Sequence, residues 1–149
     1  MAIPGMTRQI VPNISEEASS MHVFDTWLDN RDRLNAGNII LGMDMGSDIV
    51  RCAYIDFAQS MSFSWSDTAR SALVVPAPLF PGVVAIDREA VEKTVTAIEA
   101  LPEGEISSLI MRLPDLFISP QRKACILDGL LVRRAALRGA LLNVGGALT

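Results

Sequence analysis

The sequence has little of what a disulfide, zinc or histidine-based site would need. Two cysteines occur in 149 residues, Cys52 and Cys125. They are far apart and lack the paired spacing of metal ligands, so the expectation is two reduced, buried thiols in a cytoplasmic protein. The single histidine, His22, lies beside an apolar stripe. No serine or cysteine nucleophile pattern surrounds it, so it reads as a packed or surface side chain rather than a catalytic base. Positive charge is scarce too. A formal net charge of −4 offers nucleic acid no basic footprint, and the local cluster Arg133, Arg134 and Arg138 reads as a solvated helix face. The longest uncharged apolar run, Ala72 to Ile86, is broken by Pro76, Pro78 and Pro81; it cannot span a bilayer as a helix, and no membrane partner is expected. The amino terminus lacks the basic start and continuous apolar stretch of a signal peptide.

What is present is a chain of about one domain's length, 50% apolar and 20% charged, which can bury a single core. Residues 1–14, with Pro4, Gly5 and Pro12, read as an irregular lead-in. Ser15 then caps a helix whose first turn carries Glu16 and Glu17, and Val23, Phe24, Trp27 and Leu28 give it an apolar stripe. "NIILGM" and "IVRCAYIDF" are β-rich runs separated by "DMGSD", where Gly46 and its polar neighbours make a hairpin turn. Asp44, Gly46 and Asp48 fit a calcium loop poorly, because most ligand positions and the closing glutamate are missing. Met43 and Met45 beside this turn read as packing residues. Ser60 to Pro81, including Trp65, reads as an irregular crossing segment.

The rest is helical. Asp87 caps a helix to about Ala100 with Val91, Val95 and Ile98 buried. A short helix runs through Ile106, Leu109 and Ile110 to Pro114. Ser119 and Pro120 open a long last helix to about Asn143, ended by Gly145. The expected fold class is α+β, mainly helical, with one β-hairpin packed on helices.

Between the first helix and the hairpin lies "DNRDRLNAGNII", residues 29–40. Asp32 and Asn38 sit in it, and Asp56 ends "YIDF" after the second strand. The hairpin folds the intervening chain back on itself, so both carboxylates and the Asn38 amide could meet at its open end. Taken singly, each is a common turn, cap or strand-end residue. Taken together they form the set that phosphoryl transfer requires: a carboxylate to orient or deprotonate an acceptor hydroxyl, and an asparagine with a second carboxylate for magnesium.

At these residues the chain resembles the HipA-like kinases. "VFDTWLDNRDRLNAGNIIL" followed by "CAYIDFAQSMSF" is similar to their catalytic loop and metal-binding segment. "LPDLFISPQRKACILDGLLVRRAALRGALL" is similar to the helical end of their kinase domain, so the resemblance spans Val23 to Leu142. It implies that residues 15–149 form a kinase-like carboxyl-terminal lobe, part of an ATP- and magnesium-dependent serine/threonine phosphotransferase. Asp32 would be the catalytic aspartate, Asn38 and Asp56 the magnesium ligands that hold the nucleotide, and Asn30 and Arg33 the residues bracing the loop.

The match departs from the family pattern in three places. Asn38 lies six residues after Asp32 rather than five, which a loop eased by Ala36 and Gly37 would absorb; Asn35 is the alternative ligand. Leu34 stands where many relatives have histidine, so one bracing contact is lost. Some two dozen residues precede the loop, too few for an amino-terminal lobe, and the only lysines, Lys93 and Lys123, fall beyond the site. Two expectations follow: an amino lobe or partner chain completes the cleft and a protein is phosphorylated, or the chain is a non-catalytic, pseudokinase-like binding or regulatory module.

Overall fold

In the computed structural model, residues 7–33, 35–43, 50–61, 73–76 and 85–142 are described. They are mainly helical, with four helices and one two-stranded antiparallel sheet. The order is α1 (Thr7–Leu28), a single 3₁₀ turn (Ala36–Asn38), β1 (Ile39–Met43), β2 (Val50–Tyr54), α2 (Arg88–Glu99), α3 (Glu103–Met111) and α4 (Pro120–Leu142). No helix among them is long and apolar enough to cross a membrane.

The first helix starts at Thr7, not at Ser15, which corrects the irregular lead-in expected over residues 7–14; residues 1–6 lie outside the described residues. Its early part has a partner that the local sequence does not announce. Ile14 and Ala18 are buried in a small cluster against Ile39, Cys52 and Tyr54 of the hairpin. Pro12 lies inside this helix and brings no N–H, and burial of the following turns overrides that local cost. Ser15 therefore sits in mid-helix, where its hydroxyl donates to the Ala85 carbonyl at 2.8 Å instead of capping.

The main core is built from one stripe of each helix: Val23, Trp27 and Leu28 of α1, Val91, Val95 and Ile98 of α2, Ile106 and Ile110 of α3, and Ile126, Leu130, Leu137 and Leu141 of α4. Apart from Leu28, which adjoins Trp27, these recur at three-, four- and seven-residue steps, which keeps them on one face of each helix. Leu109 is the exception among the residues read onto α3, being exposed. The Trp27 indole donates to the Leu130 carbonyl at 2.9 Å, which ties α1 to α4.

Helix starts follow local chemistry. The Asp87 carboxylate accepts from the Ala90 amide at 3.1 Å, the Ser119 hydroxyl accepts from the Arg122 amide at 3.3 Å, and Pro120 takes the first helical position, where no amide is needed. α4 is described to Leu142.

The basic cluster is not a solvated face. Arg133 occupies a position in the buried stripe of α4 and is 1% exposed. Its Nε donates to the Trp27 carbonyl at 2.8 Å and its Nη2 to the Thr26 carbonyl at 2.6 Å, so it binds two carbonyls at the end of α1, where acceptors lack a full set of intrahelical partners. Arg134 donates to the Leu101 carbonyl, and Arg138 pairs with Glu99 at the surface.

The hairpin pairs Ile39 with Tyr54, Ile40 with Ala53 and Leu41 with Cys52. Cys52 and Cys125 are free and half-buried rather than fully buried. Residues 44–49, with Asp44, Met45, Gly46 and Asp48, lie outside the described residues, as do Leu34, Trp65, Pro78, Pro81 and Gly145. The same holds for most of the crossing segment read from Ser60 to Pro81.

Candidate functional site

α1 ends where its apolar stripe gives way to the polar loop. Asp29 follows with φ 53°, a left-handed conformation that aspartate tolerates better than most side chains. The Arg31 guanidinium, itself exposed, donates to both Asp29 oxygens at 3.2 Å, and Arg133 lies 3.8 Å from Asp29 Oδ1.

Beyond this corner the loop is organised by a buried ion pair. Arg33 Nε donates to Asp25 Oδ2 at 2.9 Å and Nη2 to Asp25 Oδ1 at 3.1 Å. This two-point geometry fixes the guanidinium plane as well as its charge. Nη1 then donates to the carbonyls of Asn38 at 3.0 Å and Ile55 at 2.8 Å. The guanidinium carbon also lies 4.6 Å from the ring centre of Phe57 and 5.6 Å from that of Tyr54, within the range of a cation–π contact. One side chain thus joins the first helix, the loop and the far end of β2. Asn30 is buried beside it; its amide donates to Asp25 Oδ1 at 2.8 Å and its carbonyl accepts from the Asp32 amide at 3.3 Å.

Asp32 and Asn38 are in direct contact. Asn38 Nδ2 donates to the Asp32 carbonyl at 2.8 Å and to Asp32 Oδ2 at 3.1 Å. The sixth loop residue is taken up as the 3₁₀ turn Ala36–Asn38, with the Asn38 amide donating to the Asn35 carbonyl at 2.9 Å. Asn35 itself is exposed, and its side chain caps this turn by accepting from the Gly37 amide. Asn38, not Asn35, is the asparagine turned towards Asp32.

Asp56 does not end a strand. β2 stops at Tyr54, one further rung is added by the Ile55 amide donating to the Asn38 carbonyl at 3.0 Å, and Asp56 follows in an exposed turn with φ 56°. Its Oδ1 accepts from the Ala58 amide at 3.1 Å. The Asn38–Ile55 rung and the Arg33 bridge bring the segment carrying Asp56 to the loop carrying Asp32 and Asn38. Met61, also at positive φ, returns its amide to the Leu28 carbonyl at 2.7 Å. Three left-handed non-glycine residues therefore flank one small region, and such conformations persist where surrounding contacts over-determine them.

The donor set suits a hard divalent cation. With Nδ2 engaged by Asp32, the oxygen donors of this region are Asn38 Oδ1 and the carboxylates of Asp32 and Asp56. Among the described residues no group of three or more His, Cys, Asp or Glu side chains forms a metal site. A cation held by one amide and one or two carboxylates would complete its shell with water or phosphate oxygens, the habit of magnesium.

The outward face of the hairpin adjoins this set. Ile40 and Ala53 face each other across the strands, and Ile40 and Ile55 are 52% and 42% exposed. The opposite face carries Ile39, Cys52 and Tyr54 against α1. Cys52 has its thiol pushed up in pKa first by burial and then by Glu17, with Tyr54 opposing; a protonated thiol is a poor nucleophile or ligand. His22 is buried, and burial lowers its pKa while Asp25 pulls the other way. Lys93 is exposed against Glu16, and Lys123 is buried against Asp115.

Reading the sequence did not single out Asp25. The available signal was a lone acid between Phe24 and Trp27 in an apolar helical stripe, where a carboxylate needs a partner. Comparison of the chain with protein-family models, with curated proteins and with solved structures finds no match.

Proposed function

We propose that the chain is a kinase-like carboxyl-terminal lobe, related to the HipA-like kinases, that contributes the catalytic loop of an ATP- and magnesium-dependent phosphotransferase. The observation that carries this reading is the direct Asn38–Asp32 contact, held against the Asp56 segment by the Arg33 bridge. Asp32 accepts the proton of a serine or threonine hydroxyl as its oxygen attacks the γ-phosphorus, and the β–γ bridging oxygen departs with ADP. Asn38 Oδ1 and Asp56 are the groups that would hold magnesium, whose chemistry there would be charge neutralisation at the phosphates. The apolar outward face at Ile40, Ala53 and Ile55 would take the flat face of the base. Lys93 and Lys123 are committed elsewhere, so an amino lobe or partner chain supplies the phosphate-binding lysine.

A transfer assay with γ-labelled ATP on the complex with that lobe tests this. Asp32→Asn should lower labelling by roughly 10²–10⁴-fold, the usual contribution of a general base, while leaving magnesium-dependent ATP binding in place. Labelling by Asp32→Asn at the parent rate would defeat the assignment.

A second reading is favoured by the exposed apolar residues Ile40 and Ile55 on the outward face of the hairpin. They suit a docking face, and a chain using them only for that purpose would be a non-catalytic binding or regulatory module. Such a module would bind its partner unaffected by Asp32→Asn, Asn38→Ala or Asp56→Asn, and ATP would be without effect.

A further inference from the structure

We propose that Asp25 is the positioning residue through which Asp32, Asn38 and Asp56 are held as one site. The functional meaning rests on the phosphotransferase reading; the coupling is a matter of geometry. Asp25 is 1% exposed, and both of its oxygens are used. Oδ1 accepts from Asn30 Nδ2 and Arg33 Nη2, and Oδ2 accepts from Arg33 Nε. From those two partners the hydrogen bonds run on to Asp32, to Asn38 and to the residue before Asp56. Asn30 Oδ1 holds the Asp32 amide. Arg33 Nη1 holds the Asn38 carbonyl and the carbonyl of Ile55, the residue before Asp56. Asp32 and Asn38 each stand one intervening side chain away from Asp25, and Asp56 follows the residue whose carbonyl Arg33 holds.

A carboxylate is what this position requires. Two coplanar acceptor oxygens match the edge of a guanidinium, and a third donor from Asn30 uses a remaining lone pair. Asparagine at position 25 would turn an N–H₂ towards an N–H of Arg33, so one donor pair would face another. Arg33 would keep its charge and its two carbonyl acceptors but lose the fork that sets its plane.

Asp25 also belongs to the core rather than to the loop. It lies on α1, whose neighbouring carbonyls, Thr26 and Trp27, are held by buried Arg133 of α4. The site is therefore referenced to the helix bundle, although its own residues lie on a loop and a turn. Groups that orient ligands in this way commonly change metal affinity by 10–100-fold when removed.

The test is nuclear magnetic resonance on the full chain with manganese as the probe, comparing the parent with Asp25→Asn. In the variant, the Asn38 side-chain amide and the Asp56 backbone amide should shift. The Ile55 amide should exchange at least about tenfold faster, and about tenfold more manganese should be needed to broaden Asn38. Changes confined to Asn30 and Arg33, the residues that touch Asp25, would overturn the proposal, because a merely local packing role moves only those. If Asp25→Asn does not fold, Arg33→Lys, which keeps the charge and loses the fork, should give the same remote changes, and their absence there would equally overturn it. Failure of manganese to broaden Asn38 or Asp56 in the parent would count against the phosphotransferase reading alone, and the exchange data would still decide the coupling.

Discussion

His22 and Asp56 show how much a single residue's setting decides. Burial lowers the folded-state pKa of His22, so the unfolded chain takes up the proton first. Stability from this group is present above the ordinary histidine value of about 6.5 and is lost as pH falls below it. Since His22 is the chain's one histidine, urea unfolding at pH 7.5 and 5.5 reads it directly. The parent should lose stability over that interval by up to about 1.4 kcal/mol per pH unit, and His22→Phe should flatten the dependence. At Asp56 two effects oppose: glycine would relieve the left-handed backbone at φ 56° and forfeit the bond from Ala58. Asp56→Gly should leave stability within about 0.5 kcal/mol while abolishing manganese broadening at Asn38. A large loss of stability would mean that Asp56 serves the fold instead.

At the scale of elements, helix ends are where local sequence and structure agree. Asp87 and Ser119 lie at the starts of α2 and α4 and bond the amides that such caps satisfy; this chemistry needs no distant partner. Asp87→Ala should cost about 1 kcal/mol in thermal or urea unfolding. Where a distant partner decides, the local reading fails. The start of α1 depends on the hairpin covering Ile14 and Ala18, and Ser15 bonds a carbonyl seventy positions away in sequence. Arg133 is the sharper case. On a helical wheel it is one arginine beside another, and only the docking of α4 on α1 shows that its guanidinium meets two terminal carbonyls. Arg133→Leu, which keeps the bulk and removes the donors, should destabilise the fold by on the order of 3 kcal/mol. A change under about 0.5 kcal/mol would return Arg133 to the surface role its sequence suggests.

Across the whole molecule, the open end of a small hairpin is tied to α1 by a buried pair, Asp25 with Arg33, its strands pack on Ile14 and Ala18 of the same helix, and the polar residues of the loop gather around that pair. The nearness of Asp32 and Asn38 to the segment that carries Asp56 was legible because the order loop, strand, strand, aspartate folds separated residues back to one end of a hairpin. Asp25 was not, because its role depends on the return of the chain from β2 at Ile55, and no spacing rule links a helix residue to that return. The left-handed turn at Asp56 was hidden for the same reason.

Whether Asn38 and Asp56 together take a divalent cation beside Asp32, as proposed, is decided by adding substoichiometric manganese to the labelled chain and following paramagnetic broadening. The expected result is that the Asn38 side-chain amide and the Asp32 and Asp56 backbone amides broaden first, that excess magnesium reverses it, and that Asp56→Asn removes it. Broadening that begins instead around the surface carboxylates Glu99, Glu103 and Glu105, with Asn38 and Asp56 unaffected, would contradict the claim.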